Sequence, residues 1–597
     1  MKTMPGIVNG RCLIDGSAQG ALLFADTGLS FWGGVDPSSG EVIDRHHPLS
    51  GQSVAGRVLA IPGSRGSCTG SSVMMELISN AHAPAALVLA EPDEILTLGV
   101  LVAQHFFGRS LPVLCVGQHA FDTLRGQPWA RVDGASLSLY SQAPDDPWLP
   151  REAESEHENE NDTADGAIEL SRRDQELLDG AHGKAAQVAM QIVLRMARLQ
   201  GARELIDITQ AHIDGCIYTG PASLRFAERL VQWGARVQVP TTLNAISVDQ
   251  RLWRELGIDP ALGEPASALG DAYMAMGARL SFTCAPYLLD SAPGLGEQVV
   301  WAESNAVVYA NSVLGARTLK YPDYLDICIA LTGRAPLIGC HLPGRRRPQL
   351  QIQVPPLAGT DDSVYPLLGY HIGGLCGSRI PWISGLHQQH PDLDDLKAFG
   401  AAFATTSAAA MFHIAGVTPE ALDPDLSIGL SEAIPCVSIT PQDLLASWKE
   451  LNTARDTQVR MISLGNPHFS LSEFARLAAL CQARRKHPDV VLAITCGRAV
   501  LEQARAAGHL AALEAFGATL ITDTCWCMLG EPVVPVDCRS LMTNSGKYAH
   551  YAPGLVGRRV HFDSLGACVD SACSGTRSGR PPAWLSPFSP AEPADHV

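Results

Sequence analysis

Cysteine residues that follow apolar runs are the first candidates for chemistry in this chain of 597 residues. Cys525 ends the sequence Thr-Asp-Thr-Cys after an apolar run at 518–524, and Cys284 follows a second run at 279–283. Ligands in α/β proteins gather where strands end, and thiolates are soft ligands that suit iron. These two cysteines are therefore better metal candidates than cysteines inside apolar helices, although an inert buried thiol is the alternative for each.

A loop rich in glycine and serine offers a second kind of chemistry. Residues 63–72 read Gly-Ser-Arg-Gly-Ser-Cys-Thr-Gly-Ser-Ser and lie between an apolar run at 57–61 and a helical pattern at 73–81. A loop that enters a helix presents unpaired N–H groups and hydroxyls, which can bind an anion. An ordinary turn with a serine cap is the other interpretation, and the sequence leaves both open.

Short strands and helical patterns position these residues. In the N-terminal part, aliphatic runs between glycine and proline predict strands at 57–61, 86–89 and 112–116. In the C-terminal part, strands are predicted at 459–464, 490–495 and 518–524, separated by helical patterns at 470–485 and 498–507. Alternation of this kind favours a parallel sheet with covered faces. The predicted fold class is α/β, with a β-rich N-terminal domain and a large, multi-lobed α/β region containing parallel sheets.

An acidic stretch at 142–168 is the clearest domain boundary. It carries seven carboxylates between Glu152 and Asp165, and like charges without apolar residues predict a solvated linker. A helical pattern follows from about Ser171 to Gln200, and Ser171 and Asp174 have the spacing of a capping box. The predicted units are a domain at 1–141, a large region at 169–575 and a tail rich in proline and serine at 576–597.

Composition excludes several classes of protein. The net charge of −17 argues against nucleic-acid binding, because phosphate contacts need clustered Lys and Arg. No stretch reaches the roughly 20 uninterrupted apolar residues of a membrane helix, and the run at 399–417, which includes His413, predicts a buried helix instead. Sixteen cysteines without an export signal predict a reducing compartment, the cytoplasm.

Several stretches together resemble the aconitase X family, a divergent branch of the aconitase superfamily. In the large region they are residues 212–215, 240–244, 283–287, 296–297, 301–318, 522–525, 542–547 and 564–569. The N-terminal segment, with Arg-Gly-Ser-Cys-Thr-Gly-Ser-Ser at 65–72, is similar to the small subunit of the family, a swivelling domain that closes over the active site. The resemblance covers nearly the whole chain apart from linker and tail, and it implies a fused protein that needs no separate small subunit.

The resemblance implies an iron–sulfur dehydratase, a hydro-lyase. Fused members resemble cis-3-hydroxy-L-proline dehydratases with a 2Fe–2S cluster, whereas archaeal two-chain members resemble mevalonate 5-phosphate dehydratases. The archaeal type tends to have a cysteine where this chain has Asn466, and this difference favours the first activity. We therefore expect loss of water from cis-3-hydroxy-L-proline, through an enamine, to give Δ1-pyrroline-2-carboxylate in hydroxyproline catabolism.

Cluster ligands follow from the same resemblance. They are carried to Cys284, Cys525 and Cys568, with Cys527 and Cys573 as the nearest competitors. Residues 525 and 527 would point to opposite sides of an extended strand, which argues against both holding one cluster.

The resemblance also places the base and the substrate contacts. A swivel-domain serine serves as the base in the superfamily, and we expect Ser71 in this role with Ser67 binding the carboxylate; a simple helix-capping serine is the alternative. The residues expected to contact substrate are His212, Asp214, Thr242, Asn244, Glu303, Ser304, Asn305 and Lys547. Lys547 suits a carboxylate, and Glu303 or Asp214 could hold a protonated ring nitrogen.

Two other functions stay open. The first is a dehydratase for another small hydroxy acid such as mevalonate 5-phosphate, whose phosphate could bind the arginines at 345–347, although such a run is more often a solvated loop. The second is a non-enzymatic, cluster-binding regulator of RNA, against which the charge of −17 argues.

Overall fold

A computed structural model of the protein describes residues 6–65, 67–144, 168–422, 434–577 and 579–588. The linker predicted at 142–168 lies outside these ranges from 145 to 167, and the predicted tail lies outside them from 589 onward. No helix in the described ranges is both long enough and apolar enough to span a bilayer.

One mixed sheet of eight strands forms the N-terminal domain, in the order β1-β8-β7-β3-β4-β5-β6-β2. Its elements are β1 (Gly6–Asn9), β2 (Arg11–Ile14), β3 (Ser17–Phe24), β4 (Val58–Ile61), α1 (Gly70–Ser79), β5 (Ala86–Leu89), α2 (Glu94–Phe107), β6 (Val113–Cys115), α3 (Gln118–Asp122), β7 (Trp129–Asp133) and β8 (Ser136–Tyr140). The predicted strands at 57–61, 86–89 and 112–116 are confirmed as β4, β5 and β6. The loop between β4 and α1 carries the serines of interest.

The first lobe of the large region holds a small parallel sheet, β11-β10-β12, beside the antiparallel pair β13-β9. Its elements are α4 (Arg172–Leu178), α5 (Lys184–Leu199), β9 (Leu205–Asp207), β10 (Ala211–Ile213), α6 (Pro221–Gln232), β11 (Thr241–Leu243), α7 (Pro260–Ala275), β12 (Val300–Trp301), α8 (Ser304–Tyr309), α9 (Leu325–Thr332) and β13 (Arg334–Pro336). The single helix predicted from Ser171 to Gln200 is wrong, because Gly180 and Gly183 take left-handed φ values of 80° and 91° and separate α4 from α5. The capping box of Ser171 and Asp174 is present.

The second and third lobes each contain a parallel sheet. The second lobe has the order β16-β15-β14-β17 and comprises β14 (Leu350–Gln353), α10 (Val364–Cys376), β15 (Pro381–Ser384), α11 (Leu393–Thr406), β16 (His413–Ile414), β17 (Cys436–Ser438) and α12 (Pro441–Leu451). The third lobe has the order β20-β19-β18-β21-β22 and comprises β18 (Met461–Leu464), α13 (Leu471–Cys481), β19 (Val491–Thr495), α14 (Arg498–Ala506), α15 (Leu510–Phe516), β20 (Ala518–Ile521), β21 (Ser540–Thr543), α16 (Gly546–Leu555), β22 (Arg559–Phe562) and α17 (Leu565–Ser574). These sheets confirm the predicted α/β class.

An apolar core continues from the N-terminal domain into the first lobe. Its clearest contact is aromatic, since the ring of Phe106 on α2 lies 4.5 Å from Phe226 and 5.3 Å from Trp233, centroid to centroid. Aromatic pairs at such distances contribute about 0.5–1.5 kcal/mol beyond their buried area. The N-terminal domain is therefore packed onto the large region.

Helices α10 and α11 cross so closely that side chains are excluded at the crossing. A Cβ atom added at Gly369 would overlap the carbonyl oxygen of Phe399, whereas one added at Gly374, on the same helix, meets nothing within 4 Å. We expect Gly369→Ala to destabilise the protein by about 1–3 kcal/mol, because overpacking forces the helices apart. Gly374→Ala should be neutral or slightly stabilising, since alanine favours the helix. Thermal unfolding followed by circular dichroism measures both, and equal melting temperatures for the two variants would contradict the expectation.

Candidate active site

Acidic and amide side chains meet where the three parallel strands of the first lobe end. Asp214 follows β10, Asn244 follows β11 and Glu303 follows β12. The amide nitrogen of Asn244 donates to Asp214 and, at 3.2 Å, to Oε2 of Glu303. Because the carboxyl ends of parallel strands share one edge, residues up to 89 positions apart in sequence form one buried group.

Glu303 and Lys547 form an ion pair inside this edge. Lys547 lies in the first turn of α16 and its Nζ is 2.7 Å from Oε1 of Glu303. Burial disfavours ionisation of Glu303, but Lys547 and the amide of Asn305 nevertheless hold its pKa below the ordinary value. Burial likewise works against the charge of Lys547, yet Glu303 and nearby cysteine sulfurs raise its pKa well above normal. Both groups are therefore charged at neutral pH.

A small cavity opens beside this ion pair. Polar groups that line it come from both parts of the chain and are Ser67, Thr69, Glu303, Ser304, Asn305, Thr405, Cys525, Cys527 and Lys547. The remaining wall is apolar and consists of Trp32, Ile217, Ala401, Ala404, Met528 and Tyr551. Among the described lining residues, only Glu303 and Lys547 carry a formal charge.

Ser67 and Ser71 have different environments. Ser67 lines the cavity, and its Oγ lies 3.0 Å from the hydroxyl of Thr69. Ser71 is fully buried, and its hydroxyl donates to the carbonyl of Ile95 at 2.7 Å inside the N-terminal domain. The structure therefore does not bring Ser71, the expected base, to the cavity, because the first turn of α1 points its hydroxyl toward α2.

The other predicted substrate contacts are divided in the same way. Ser304, Asn305, Glu303 and Lys547 reach the cavity wall. His212, Thr242, Asp214 and Asn244 lie behind it; Nδ1 of His212 is 2.8 Å from the hydroxyl of Thr242. Burial lowers the pKa of His212 to about 3, so its ring is neutral. These four residues support the wall instead of forming it.

Three cysteines converge at one side of the cavity. Cys525 lies within hydrogen-bonding reach of both Cys284 and Cys527, and the three share one buried cluster with Ala245 and Tyr551. Cys568 is absent from this group: it is buried on α17 in the apolar core of the third lobe. The structure thus brings together two of the three expected ligands and adds Cys527.

The expected separation of residues 525 and 527 is wrong for a structural reason. Strand β20 ends at Ile521, and residues 526–528 form a turn, so alternation along an extended strand does not apply. Asp523 precedes this turn with a left-handed φ of 66°. Two hydrogen bonds of 2.6 Å from Arg498 hold its carboxylate in place, and charge-assisted pairs of this kind fix geometry firmly.

The segment before Cys284 also departs from the expected strand. Residues 279–283 make a single bridge, between Arg279 and Thr242, and Phe282 has a φ of 33°. Left-handed backbone in a bulky residue is uncommon and persists only where packing enforces it. Each left-handed residue lies two positions before a clustered cysteine.

The thiol cluster has the donors that an iron–sulfur group requires. Within the described ranges, no three His, Cys, Asp or Glu side chains are already arranged as a metal site. Even so, the backbone N–H of His468 donates to the sulfur of Cys284 at 3.3 Å, and the amide of Asn466 donates to Cys527 at 3.3 Å. Cysteine thiolates hold iron–sulfur clusters, and hydrogen bonds to the sulfurs help to set the cluster's reduction potential, so the residues present fit such a group in type.

Family comparisons cover almost the entire chain. The aconitase X swivel domain matches residues 7–139, and the first, second and third aconitase X domains match residues 167–344, 348–449 and 459–574.

Three named relatives are similar to long stretches of the chain. A protein from Pseudomonas aeruginosa named cis-3-hydroxy-L-proline dehydratase is 60% identical over 96% of this chain and 98% of its own length. One of the same name from Hypocrea jecorina is 53% identical over 97% and 98%. The phosphomevalonate dehydratase large subunit of Methanothermobacter thermautotrophicus is 36% identical over 67% of this chain and 97% of its own.

A solved structure also resembles this chain. The crystal structure of Thermococcus kodakaraensis aconitase X in its holo-form has 30% identity and a TM-score of 0.61, and it covers 68% of this chain and 100% of the solved chain.

Proposed function

The chain belongs to the aconitase X family, and we propose that it is a hydro-lyase that removes water from cis-3-hydroxy-L-proline. The charge of the cavity wall is the observation that carries this proposal. Its described lining offers one cation, Lys547, and one anion, Glu303, 2.7 Å apart. An amino acid zwitterion presents a carboxylate and a ring ammonium group to match them. The relatives with 60% and 53% identity bear the corresponding name.

Phosphomevalonate suits this wall poorly. A carboxylate and a phosphate together would need several cations, and the arginine run at 345–347 does not supply them. The guanidinium of Arg346 is buried and already bound to Glu420, Asn311 and the carbonyl of Cys340. The phosphomevalonate relatives are also divided into large and small subunits, whereas this chain contains both parts.

Residues of this chain perform the proton chemistry in the proposed reaction. Lys547 binds the substrate carboxylate and Glu303 the ring nitrogen, which directs the hydrogen on carbon 2 toward the N-terminal domain. Ser67 accepts that proton as the general base. The hydroxyl group leaves carbon 3, and the resulting enamine tautomerises to Δ1-pyrroline-2-carboxylate. Apolar groups such as Trp32 and Tyr551 exclude water from the cavity.

An iron–sulfur cluster held by Cys284, Cys525 and Cys527 is part of the proposal. When bound, such a cluster supplies a Lewis acid for the departing hydroxyl. We propose the 2Fe–2S type, supported by the neutral amide of Asn466 that faces Cys527 at the position where the archaeal type tends to have a cysteine.

Domain roles and location complete the proposal. Residues 1–141 would act as the swivelling domain, which is supported by the matched swivel domain at 7–139. None of the sixteen cysteines, all of them in the described ranges, forms a disulfide, which supports a reducing compartment, and we propose the cytoplasm. The substrate is a small molecule, and the charge of −17 supports a function without nucleic acid.

The proposal is tested with protein purified without oxygen. We expect iron, visible absorption of a cluster, and formation of Δ1-pyrroline-2-carboxylate from cis-3-hydroxy-L-proline. The matched control substrate is trans-3-hydroxy-L-proline, and mevalonate 5-phosphate is assayed alongside; neither should react at a comparable rate. Turnover of mevalonate 5-phosphate alone would reassign the substrate, and an iron-free protein that stays inactive after cluster reconstitution would refute the mechanism.

A further inference from the structure

A chain of hydroxyl groups leads from the cavity to a buried carboxyl group. The Oγ of Ser67 is 3.0 Å from Oγ1 of Thr69. Thr69 in turn donates to Oδ2 of Asp214 at 3.1 Å. Thr69 and Asp214 are 1% and 0% exposed. Because Thr69 donates its one hydroxyl proton to Asp214, the hydroxyl of Ser67 is left to donate to Thr69, while the backbone N–H of Thr69 donates to Ser67 at 3.2 Å. The chain crosses from the N-terminal domain to the first lobe.

Asp214 does not stand alone. Its carboxyl group is within hydrogen-bonding distance of Asp323, and one oxygen of Asp323, Oδ1, is buried without a hydrogen-bond donor among the described residues. Its other oxygen accepts the hydroxyl of Ser72 at 2.8 Å. Two carboxyl groups this close disfavour ionisation of both, so the pair keeps at least one proton. A third carboxylate, Asp326, is satisfied separately by the backbone N–H groups of Asp214 and Ile327 at 2.7 and 2.6 Å.

The charged surroundings of Asp214 make it a proton acceptor in the neutral to alkaline range. Burial, then Glu303 and Asp326, raise the pKa of Asp214 to about 8, against the opposing effects of Asn244 and Lys547. The titratable and charged groups that face it from each neighbouring element are Glu303, Asp323, Asp326, Lys547, Cys68 and Cys216.

We propose that Thr69 and Asp214 form a proton relay behind Ser67, with Asp323 as the partner that shares the proton. The inference rests on the proposed dehydration and deepens it. The C–H bond at carbon 2 breaks and an O–H bond forms on Ser67, while the original proton of Ser67 moves to Thr69 and that of Thr69 to Asp214. The electron pair left on carbon 2 forms the double bond as hydroxide leaves carbon 3. Hydroxide takes a proton from solvent and Asp214 returns one, so one water is lost per turnover.

The relay explains how a serine can act as a base. A serine hydroxyl is a weak base because its alkoxide is unstable at neutral pH. When its proton is passed on as it accepts another, no alkoxide accumulates. Thr69 contacts Ser67 and Asp214 contacts Thr69, so both act through Ser67 and are positioning residues.

The test is the pH dependence of kcat and KM in the holoenzyme with cis-3-hydroxy-L-proline. Wild-type kcat should rise with pH through about 8, because the relay accepts a proton only when the Asp214–Asp323 pair has an ionised site. Thr69→Val keeps the shape but lacks the hydroxyl; its kcat should fall by about 10- to 100-fold and lose this rise, with KM within about threefold. Thr69→Ser, the matched control, should keep both the rate and the rise.

Infrared spectroscopy gives a readout that does not depend on turnover. A band from a protonated carboxylic acid should titrate in the wild type, persist in Thr69→Val and disappear or shift in Asp214→Asn. An unchanged band in Asp214→Asn would overturn the shared proton and with it the relay. A wild-type kcat and pH profile in Thr69→Val, or a change in its KM alone, would overturn the relay while the proposed function stands. No turnover by the wild type would overturn both.

Discussion

Alanine in place of Cys527 is expected to leave the purified protein without its iron and to lower dehydratase activity by more than about a hundredfold. Cys527 lies within hydrogen-bonding reach of Cys525, which in turn reaches Cys284. Loss of a ligand should cost more than the 10- to 100-fold typical of a residue that only contacts a ligand. Iron content per chain, the visible absorption spectrum and turnover measure the effect.

Cys568→Ala is the matched control for this prediction. Cys568 is also buried but packs in the apolar core of the third lobe, so its loss should leave iron and turnover near wild type, with a small loss of stability. If Cys568→Ala loses the iron and Cys527→Ala keeps it, the ligand set implied by the family resemblance is correct and the one read from the structure is wrong.

Ser67→Ala is expected to lower kcat by about 10²- to 10⁴-fold, the range for loss of a general base. KM should change little, because we propose that Lys547 and Glu303 bind the carboxylate and the ring nitrogen. Steady-state kinetics with cis-3-hydroxy-L-proline, on protein with its full iron content, measures both constants.

Ser71→Ala provides the comparison. Its hydroxyl is bound to the carbonyl of Ile95, so the variant should lose about 1 kcal/mol of stability and retain its kcat. A large fall in kcat for Ser71→Ala, together with normal turnover by Ser67→Ala, would show that Ser71 and not Ser67 is the general base.

Sequence patterns predicted the strands better than the contacts between them. Runs of aliphatic residues between glycine and proline correspond to β4, β5 and β19 within about one residue, because buried strands need such side chains. The helix predicted from Ser171 to Gln200 failed between Leu178, where α4 ends, and Lys184, where α5 begins, because Gly180 and Gly183 have left-handed backbones. A single glycine only mildly disfavours a helix, so the sequence did not indicate that these glycines would interrupt it.

The site was predictable in composition but not in orientation. Lys547, Glu303 and Ser67 were expected and do reach the cavity. Ser67 and Ser71 are four residues apart, and only the path of the loop into α1 decides which hydroxyl faces the cavity. Cys527 was set aside on the assumption of an extended strand, but the chain turns after Ile521. The sequence around Thr69 gave no indication of the relay, because its hydrogen-bond partner Asp214 is 145 positions away.

The aromatic contact between Phe106 and Phe226 has a consequence for how the protein responds to dilution. In a dehydratase made of separate subunits, assembly of the active site is bimolecular, so the active fraction falls as the protein is diluted. Here both rings belong to one polypeptide, and their pairing is an intramolecular step with a fixed effective concentration. The fraction of chains in which this contact forms is then independent of protein concentration. Each newly made chain also contains both sides of this apolar contact, so neither side is left exposed without its partner and prone to aggregation.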